Sequence, residues 1–87
     1  MRKIDRDLGI PPWIQLRDIL REAIVSGELT GKLPSARRIG QEQDGMAPNT
    51  VTKALEALRE EGLVTSQKGW AWSVVPEAGR PPAGNST

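Results

Sequence analysis

The side chains able to do chemistry in this sequence are short hydrogen-bonding groups at the start of one amphipathic segment, residues 48–61. Asn49, Thr50, Thr52, Lys53 and Glu56 all fall off an apolar stripe made by Val51, Ala54, Leu55 and Leu58, which follows the i, i+3, i+4, i+7 rule of a helix buried on one face. A helix N-terminus carries the positive end of its dipole and free backbone N–H groups, which favour anions such as phosphate. Beside such a terminus Asn can pair with adenine, Thr can hydrogen-bond or touch a thymine methyl, and Lys can reach guanine or phosphate. An outer face that is merely solvated would show the same pattern, so the stretch alone leaves both readings open. Other chemistries have little support. The chain has no Cys and no His, which argues against thiol chemistry, disulfides and a zinc site. With no glycine-rich phosphate loop and no convergent carboxylate pair, neither an enzyme nor a cofactor is implied.

The neighbouring segments position those groups. Pro48 suits a first helical position and Gly62 a left-handed helix end. Upstream, Ser35 is a natural N-cap after Leu33-Pro34. Arg37, Arg38, Ile39 and Gln43 then continue a short polar helix, and Gly45 supplies a turn. Downstream, residues 63–67 and 71–75 read as two strands flanking Lys68-Gly69-Trp70, a hairpin with glycine at its tip. A helix-turn-helix followed by a two-stranded hairpin predicts a mainly α winged helix-turn-helix of three helices and a β wing. Residues 13–26 supply the first helix through Trp13, Leu16, Leu20, Ala23 and Ile24, with Ile19 and Val25 widening the stripe and Gly27 as its cap. Leu29 and Leu33 in the following link are expected to plug the core.

The chain divides into an N-terminal arm (1–10), the domain proper (11–76) and a Pro/Gly/Ser-rich tail (77–87) expected to be disordered. Eighty-seven residues make one domain, and a chain of that size buries only about 60% of its extended surface. The arm carries Arg2, Lys3 and Arg6. It reads either as a basic extension that touches a minor groove or, the preferred reading, as a solvated terminus in which Ile4 adds a short strand to the sheet. Trp72 is expected in the core and Trp70 over the open end of the hairpin, stacking on bases being the alternative. Net charge is only +1, but residues 30–53 carry a net +2 and residues 54–61 a net −2. The start of the 48–61 helix is thus its basic end, although ordinary charge mixing produces such differences too. No apolar run approaches the ~20 residues of a membrane span and no signal-peptide pattern is present, so a cytoplasmic protein is expected.

An ordered series of residues resembles the DNA-binding domain of the GntR family of bacterial transcription regulators. It comprises Gly27-x-Leu29, Leu33-Pro34-Ser35, Arg37, Gly45, Asn49-Thr50-Val51, Ala54-Leu55, Leu58, Glu61-Gly62-Leu63-Val64 and the Lys68-Gly69 wing. The opening Ile4-Asp5 and Pro11-Pro12-Trp13-x-Gln15 are similar to the start of that domain in several branches. The resemblance implies that Arg37 is the arginine that contacts DNA after Leu-Pro-Ser, with Arg38 as its substitute if the register shifts. It places the recognition-helix contacts at Pro48, Asn49, Thr50 and Thr52, and the wing contact at Lys68 and Gly69. Where this chain has Pro48 the family often has arginine, so one direct base contact is missing. The link before residue 34 is about two residues short of the family pattern. Ala36 and Arg38 stand where acidic residues are common, Gly40 replaces a small residue such as alanine, and there is one extra residue near Asp44. These departures leave the fold reading intact and bear on the angle of the second helix.

The resemblance further implies a sequence-specific binder of double-stranded DNA that regulates transcription, usually as a repressor, pairing as a homodimer on repeated or palindromic sites. Family members normally carry a larger C-terminal effector-binding and dimerising domain. This chain reads either as the DNA-reading part of such a regulator or as an effector-less protein of a mobile element. A protein-interaction winged helix and a DNA-architectural or accessory factor of a mobile element are the alternatives, and the weak net charge favours the former.

Overall fold

The computed structural model describes residues 1–67 and 71–76. Its elements run α1 (Pro12–Val25), α2 (Ala36–Glu42), α3 (Pro48–Glu60), β1 (Val64–Gln67) and β2 (Ala71–Val74), preceded by a single 3-10 turn at Arg6–Leu8. This is the expected winged helix-turn-helix order. Prolines open α1 and α3, where their missing N–H costs nothing. Gly27 and Gly62 follow the ends of those helices with positive φ, the conformation in which the chain can leave a helix without a Cβ clash.

The core is a seam between α1 and α3, closed by the hairpin. Leu16, Leu20 and Ile24 of α1 meet Val51, Ala54, Leu55 and Leu58 of α3, while Ile39, Leu33, Met46, Val64, Trp72 and Val74 complete the cluster. Burying side chains of this kind stabilises by ~1.5–3 kcal/mol each relative to exposure. Leu33 and Leu29 plug the core as their positions suggested. Trp72, 4% exposed, fills the volume that a chain without Phe or Tyr must fill otherwise.

β1 and β2 pair antiparallel from Val64 opposite Val74 to Gln67 opposite Ala71. A third segment joins the outer edge of β2: Lys32 bridges to Ser73, the Leu33 N–H donates to the Trp72 carbonyl (2.8 Å) and the Val74 N–H to the Gly31 carbonyl (2.8 Å). The segment that edges the sheet is therefore the link before α2. This corrects the expectation of an N-terminal strand. Ile4 packs against the core, but its N–H is bonded to the side chain of Gln43 (2.9 Å), so the arm docks on the helices. Residues 68–70, the tip of the wing with Lys68, Gly69 and Trp70, and the tail at 77–87 lie outside the described residues.

The connection from α2 to α3 is closed around one residue. The Gly40 carbonyl accepts the N–H groups of Gln43 (3.0 Å), Gly45 (3.0 Å) and Met46 (2.9 Å). Asp44 (φ 59°) and Gly45 (φ 85°) are both left-handed, which reverses the chain at once. Asp suits this position, since it tolerates the left-handed region better than most side chains. In return the Met46 carbonyl lies against the Gly40 Cα, where a Cβ would collide with its oxygen. Gly40→Ala is thus expected to lower the unfolding free energy by ~1–3 kcal/mol, the cost of forcing volume into a packed contact. An exposed helical Gly→Ala change would raise it instead. Urea denaturation of the two proteins reads the sign, and a stabilised variant would mean that the turn yields without cost.

Candidate nucleic-acid interface

The groups singled out in the sequence sit at two helix starts. At α2 the Ser35 hydroxyl accepts the Arg38 N–H (3.2 Å), fixing the first turn from which Arg37 and Arg38 project. Both arginines are exposed. Arg38 leans along its own helix toward Glu42 (3.8 Å), whereas Arg37 has no ion-pair or hydrogen-bond partner among the described residues. Of the two, Arg37 is the cation left available.

At α3 the N-cap is Ala47, which offers no side-chain acceptor to the first-turn N–H groups. Such a start is costly for an isolated helix, because orphan donors are normally capped. Pro48 and Asn49 are exposed, Thr50 and Thr52 half-buried, and Lys53 exposed. With Val51, Ala54, Leu55 and Leu58 buried, a turn of 100° per residue puts Asn49 almost diametrically opposite the core, with Thr52 and Lys53 on its two flanks. The Lys53 ammonium stands 4.9 Å from the centroid of the Trp13 ring on α1, and the Arg17 guanidinium lies 5.7 Å from the same ring.

Sequence reasoning missed two groups that dock the N-terminal arm on the helices. Gln15 and Gln43 are buried polar side chains, 9% and 1% exposed. The Gln43 amide accepts from the Ile4 N–H (2.9 Å) and donates to the Arg2 carbonyl (2.9 Å). The Gln15 amide accepts from the Asp5 N–H (2.7 Å) and donates to the carbonyls of Asp5 (2.9 Å) and Ile10 (2.9 Å). Together they bond the extended arm much as a neighbouring strand would. Lys3 reaches Asp44 in the turn (3.1 Å) and Arg2 reaches Glu22 (2.9 Å), so two of the basic residues of the arm are paired with this domain. The available signal was Gln43 one turn after Ile39 and Gln15 one turn before Ile19, polar residues in line with apolar ones.

The acidic end of α3 is tied to α1. Arg21 grips Glu61 with two nitrogens (2.8 and 2.6 Å) and also bonds Asp18 (2.9 Å). The Arg21 hydrogen bond holds the Glu61 carboxyl below the ordinary carboxylate range, against the opposing effect of partial burial, and the same contact raises the guanidinium. For Asp18, partial burial pushes upward, but hydrogen bonds and charge from Arg17 and Arg21 outweigh it and the net direction is down.

Three helices, a tight left-handed turn and an antiparallel hairpin whose second strand takes up the link before α2 define a winged helix-turn-helix. Residues 14–74 match the profile described as "Bacterial regulatory proteins, gntR family". The chain belongs to that family, whose helix-turn-helix domain is the DNA-binding part of transcription regulators. Among curated relatives, it is 38% identical over 68 residues to an uncharacterised HTH-type transcriptional regulator of Rhizobium meliloti, covering 76% of this chain and 28% of the relative. It is 34% identical over 83 residues to a Rhizobium meliloti protein described as "Probable rhizopine catabolism regulatory protein MocR", covering 90% of this chain and 17% of that one. The chain thus spans less than a third of the length of either. Among solved structures, YtrA of Sulfolobus acidocaldarius, a GntR-family transcription factor, superposes with a TM-score of 0.72 at 34% identity, over 83% of this chain and 78% of YtrA. No helix among the described residues is long and apolar enough to cross a membrane.

The Arg21–Glu61 pair makes stability depend on acidity. The folded pKa of Glu61 is lowered, so its contribution is complete above the unfolded carboxylate value of about 4.3 and disappears as pH falls through the lowered folded value. Wild type is expected to lose more stability than Glu61→Gln between about pH 6 and about pH 3. Denaturation midpoints across that range test this, and parallel curves would refute it.

Proposed function

We propose that this chain reads double-stranded DNA in a sequence-specific way, with the N-terminal half of α3 in the major groove, and that it does so as part of a transcription regulator acting by occupying promoter DNA, as a repressor does. What carries the reading is the family membership taken with the surface at the start of α3: an uncapped helix end whose outward residues are Asn49, Thr50, Thr52 and Lys53. Pro48 has no N–H and the Thr50 N–H donates to the Ala47 carbonyl (3.0 Å), so the first-turn donor left without a partner among the described residues is the Asn49 N–H, which a phosphate can fill.

In this arrangement Asn49, at the crest of α3, supplies the bidentate contact to a base, and Thr50 and Thr52 touch base edges or thymine methyls. Pro48 keeps the helix start rigid and close to the duplex without a base contact of its own. Arg37 binds a phosphate or a guanine edge, and Arg38, already leaning on Glu42, takes the lesser part. Lys68 and Gly69 of the wing approach the minor groove or the backbone, glycine allowing the chain to come near. A single half-site held by one such domain is weak, so two copies act together on palindromic or directly repeated sites in the cytoplasm.

Selection of bound duplexes from a random pool, followed by binding of the winner at two salt concentrations, tests this proposal. An enriched motif whose affinity falls steeply with salt is expected. Retention without enrichment and without salt dependence would count against DNA reading and favour a protein partner. On the selected duplex, Arg37→Ala is expected to weaken binding to every sequence. Asn49→Ala is expected to lose about 1–3 kcal/mol of discrimination at one base pair. If Asn49→Ala keeps the wild-type ratio of selected to scrambled affinity, Asn49 leaves the reading set.

A further inference from the structure

The aromatic ring at the start of α1 has a cation from each of two helices above it. Arg17 comes from the same helix as Trp13 and is neutralised by Asp18, whose carboxylate lies 3.0 Å from its guanidinium. Lys53 comes from α3 and has no ion-pair partner among the described residues, so its charge is uncompensated. Burial accounts for only part of this arrangement, since Trp13 is half-buried and Lys53 exposed. The face of an indole attracts an ammonium through its quadrupole. The consequence is directional. Lys53 stands one helical turn beyond Asn49, and its flank of α3 is the one that faces α1. The ring draws the ammonium further that way, to the seam between the two helices and away from the crest where Asn49 stands.

We propose that Trp13 is a positioning residue that holds Lys53 for a phosphate of the DNA backbone beside α1, so that Lys53 anchors the recognition helix without reading a base. The inference rests on the DNA-reading function above and deepens it. A lysine on a free four-carbon stem is disordered until it binds and can sample both a guanine edge and the backbone. Held over an indole, it has fewer rotamers to lose and one direction to serve. A compact ammonium suits a phosphate as a point charge, with no demand for the planar geometry of arginine. Asn49 and Thr52 are left with the base edges, and Lys53 sets how deeply and at what rotation α3 sits.

The test uses the selected duplex and its scrambled counterpart, with wild type, Lys53→Met, Trp13→Leu, Trp13→Phe and the double variant Trp13→Leu/Lys53→Met. Lys53→Met is expected to weaken both duplexes by the same factor and to reduce the slope of log affinity against log salt by about 0.9, the signature of one lost phosphate contact. Trp13→Leu keeps apolar bulk but removes the ring. It is expected to weaken both duplexes about 2- to 5-fold and to cost nothing further in the Lys53→Met background. Trp13→Phe, which retains an aromatic face, restores most of the loss. In the free protein, the Lys53 ε-methylene protons are expected to be displaced upfield by the ring, and the displacement is lost in Trp13→Leu. A Lys53→Met protein with an altered ratio of selected to scrambled affinity would assign Lys53 to base reading and overturn the inference. So would a Trp13→Leu effect that persists without Lys53, or free-protein protons with no upfield displacement. Each of those leaves DNA reading standing, whereas a wild-type protein that enriches no duplex removes both.

Discussion

The geometry of this domain depends on the absence of one side chain at Gly40. Its carbonyl collects three N–H groups from the turn, and its bare Cα receives the Met46 carbonyl in the space a methyl group would occupy. Two left-handed residues, Asp44 and Gly45, then send the chain into α3. Because the turn is satisfied internally, it needs no neighbouring element to bond its backbone, and α3 can begin at Pro48 with its outer face bare. Any residue larger than glycine at position 40 would push α3 away from α2 and change the angle at which Asn49 is offered.

A second set of interactions keeps α3 fixed against α1. The apolar seam supplies most of the energy, but apolar contacts are non-directional and leave helices free to slide. Polar groups remove that freedom at both ends. Arg21 with Glu61 pins the C-terminal end of α3, and Lys53 over Trp13 marks the N-terminal end. Gln15 and Gln43 perform the corresponding task for the arm, bonding five of its backbone groups where no strand is present to do so. Buried amides of this kind are costly if left unpaired, so the hydrogen bonds they make to the arm select one docking of it over others.

The charge of the domain is arranged more than it is accumulated. A net charge of +1 gives little general attraction for a polyanion. The acidic end of α3 is partly neutralised by Arg21, while Arg37 near the start of α2 and Lys53 in the first half of α3 have no ion-pair partner among the described residues. The relatives that this chain resembles are several times its length; under the reading proposed above, in which two copies act together, a modest charge on each leaves the second copy to supplement affinity.

Much of this was legible in the sequence because it rests on local rules. Proline at a helix start, glycine at a helix end and the 3.6-residue recurrence of Val51, Ala54, Leu55 and Leu58 depend only on near neighbours, and they placed three helices and a hairpin in order. The outward set at the start of α3 followed from the same periodicity. What the sequence could not decide was pairing between distant segments. The segment that edges β2 is the link from Gly31 to Leu33 and not the arm at Ile4, a choice that no near-neighbour rule in either segment determines. Gly40 read only as a departure from a small residue such as alanine, because the carbonyl that excludes a Cβ comes from a turn whose path was not yet known. The roles of Gln15, Gln43, Arg21 and Trp13 were hidden for the same reason. Gln43, Arg21 and Trp13 join residues about forty positions apart, and Gln15 bonds an arm whose path depends on Gln43, so each contact exists only once packing has brought the two groups together.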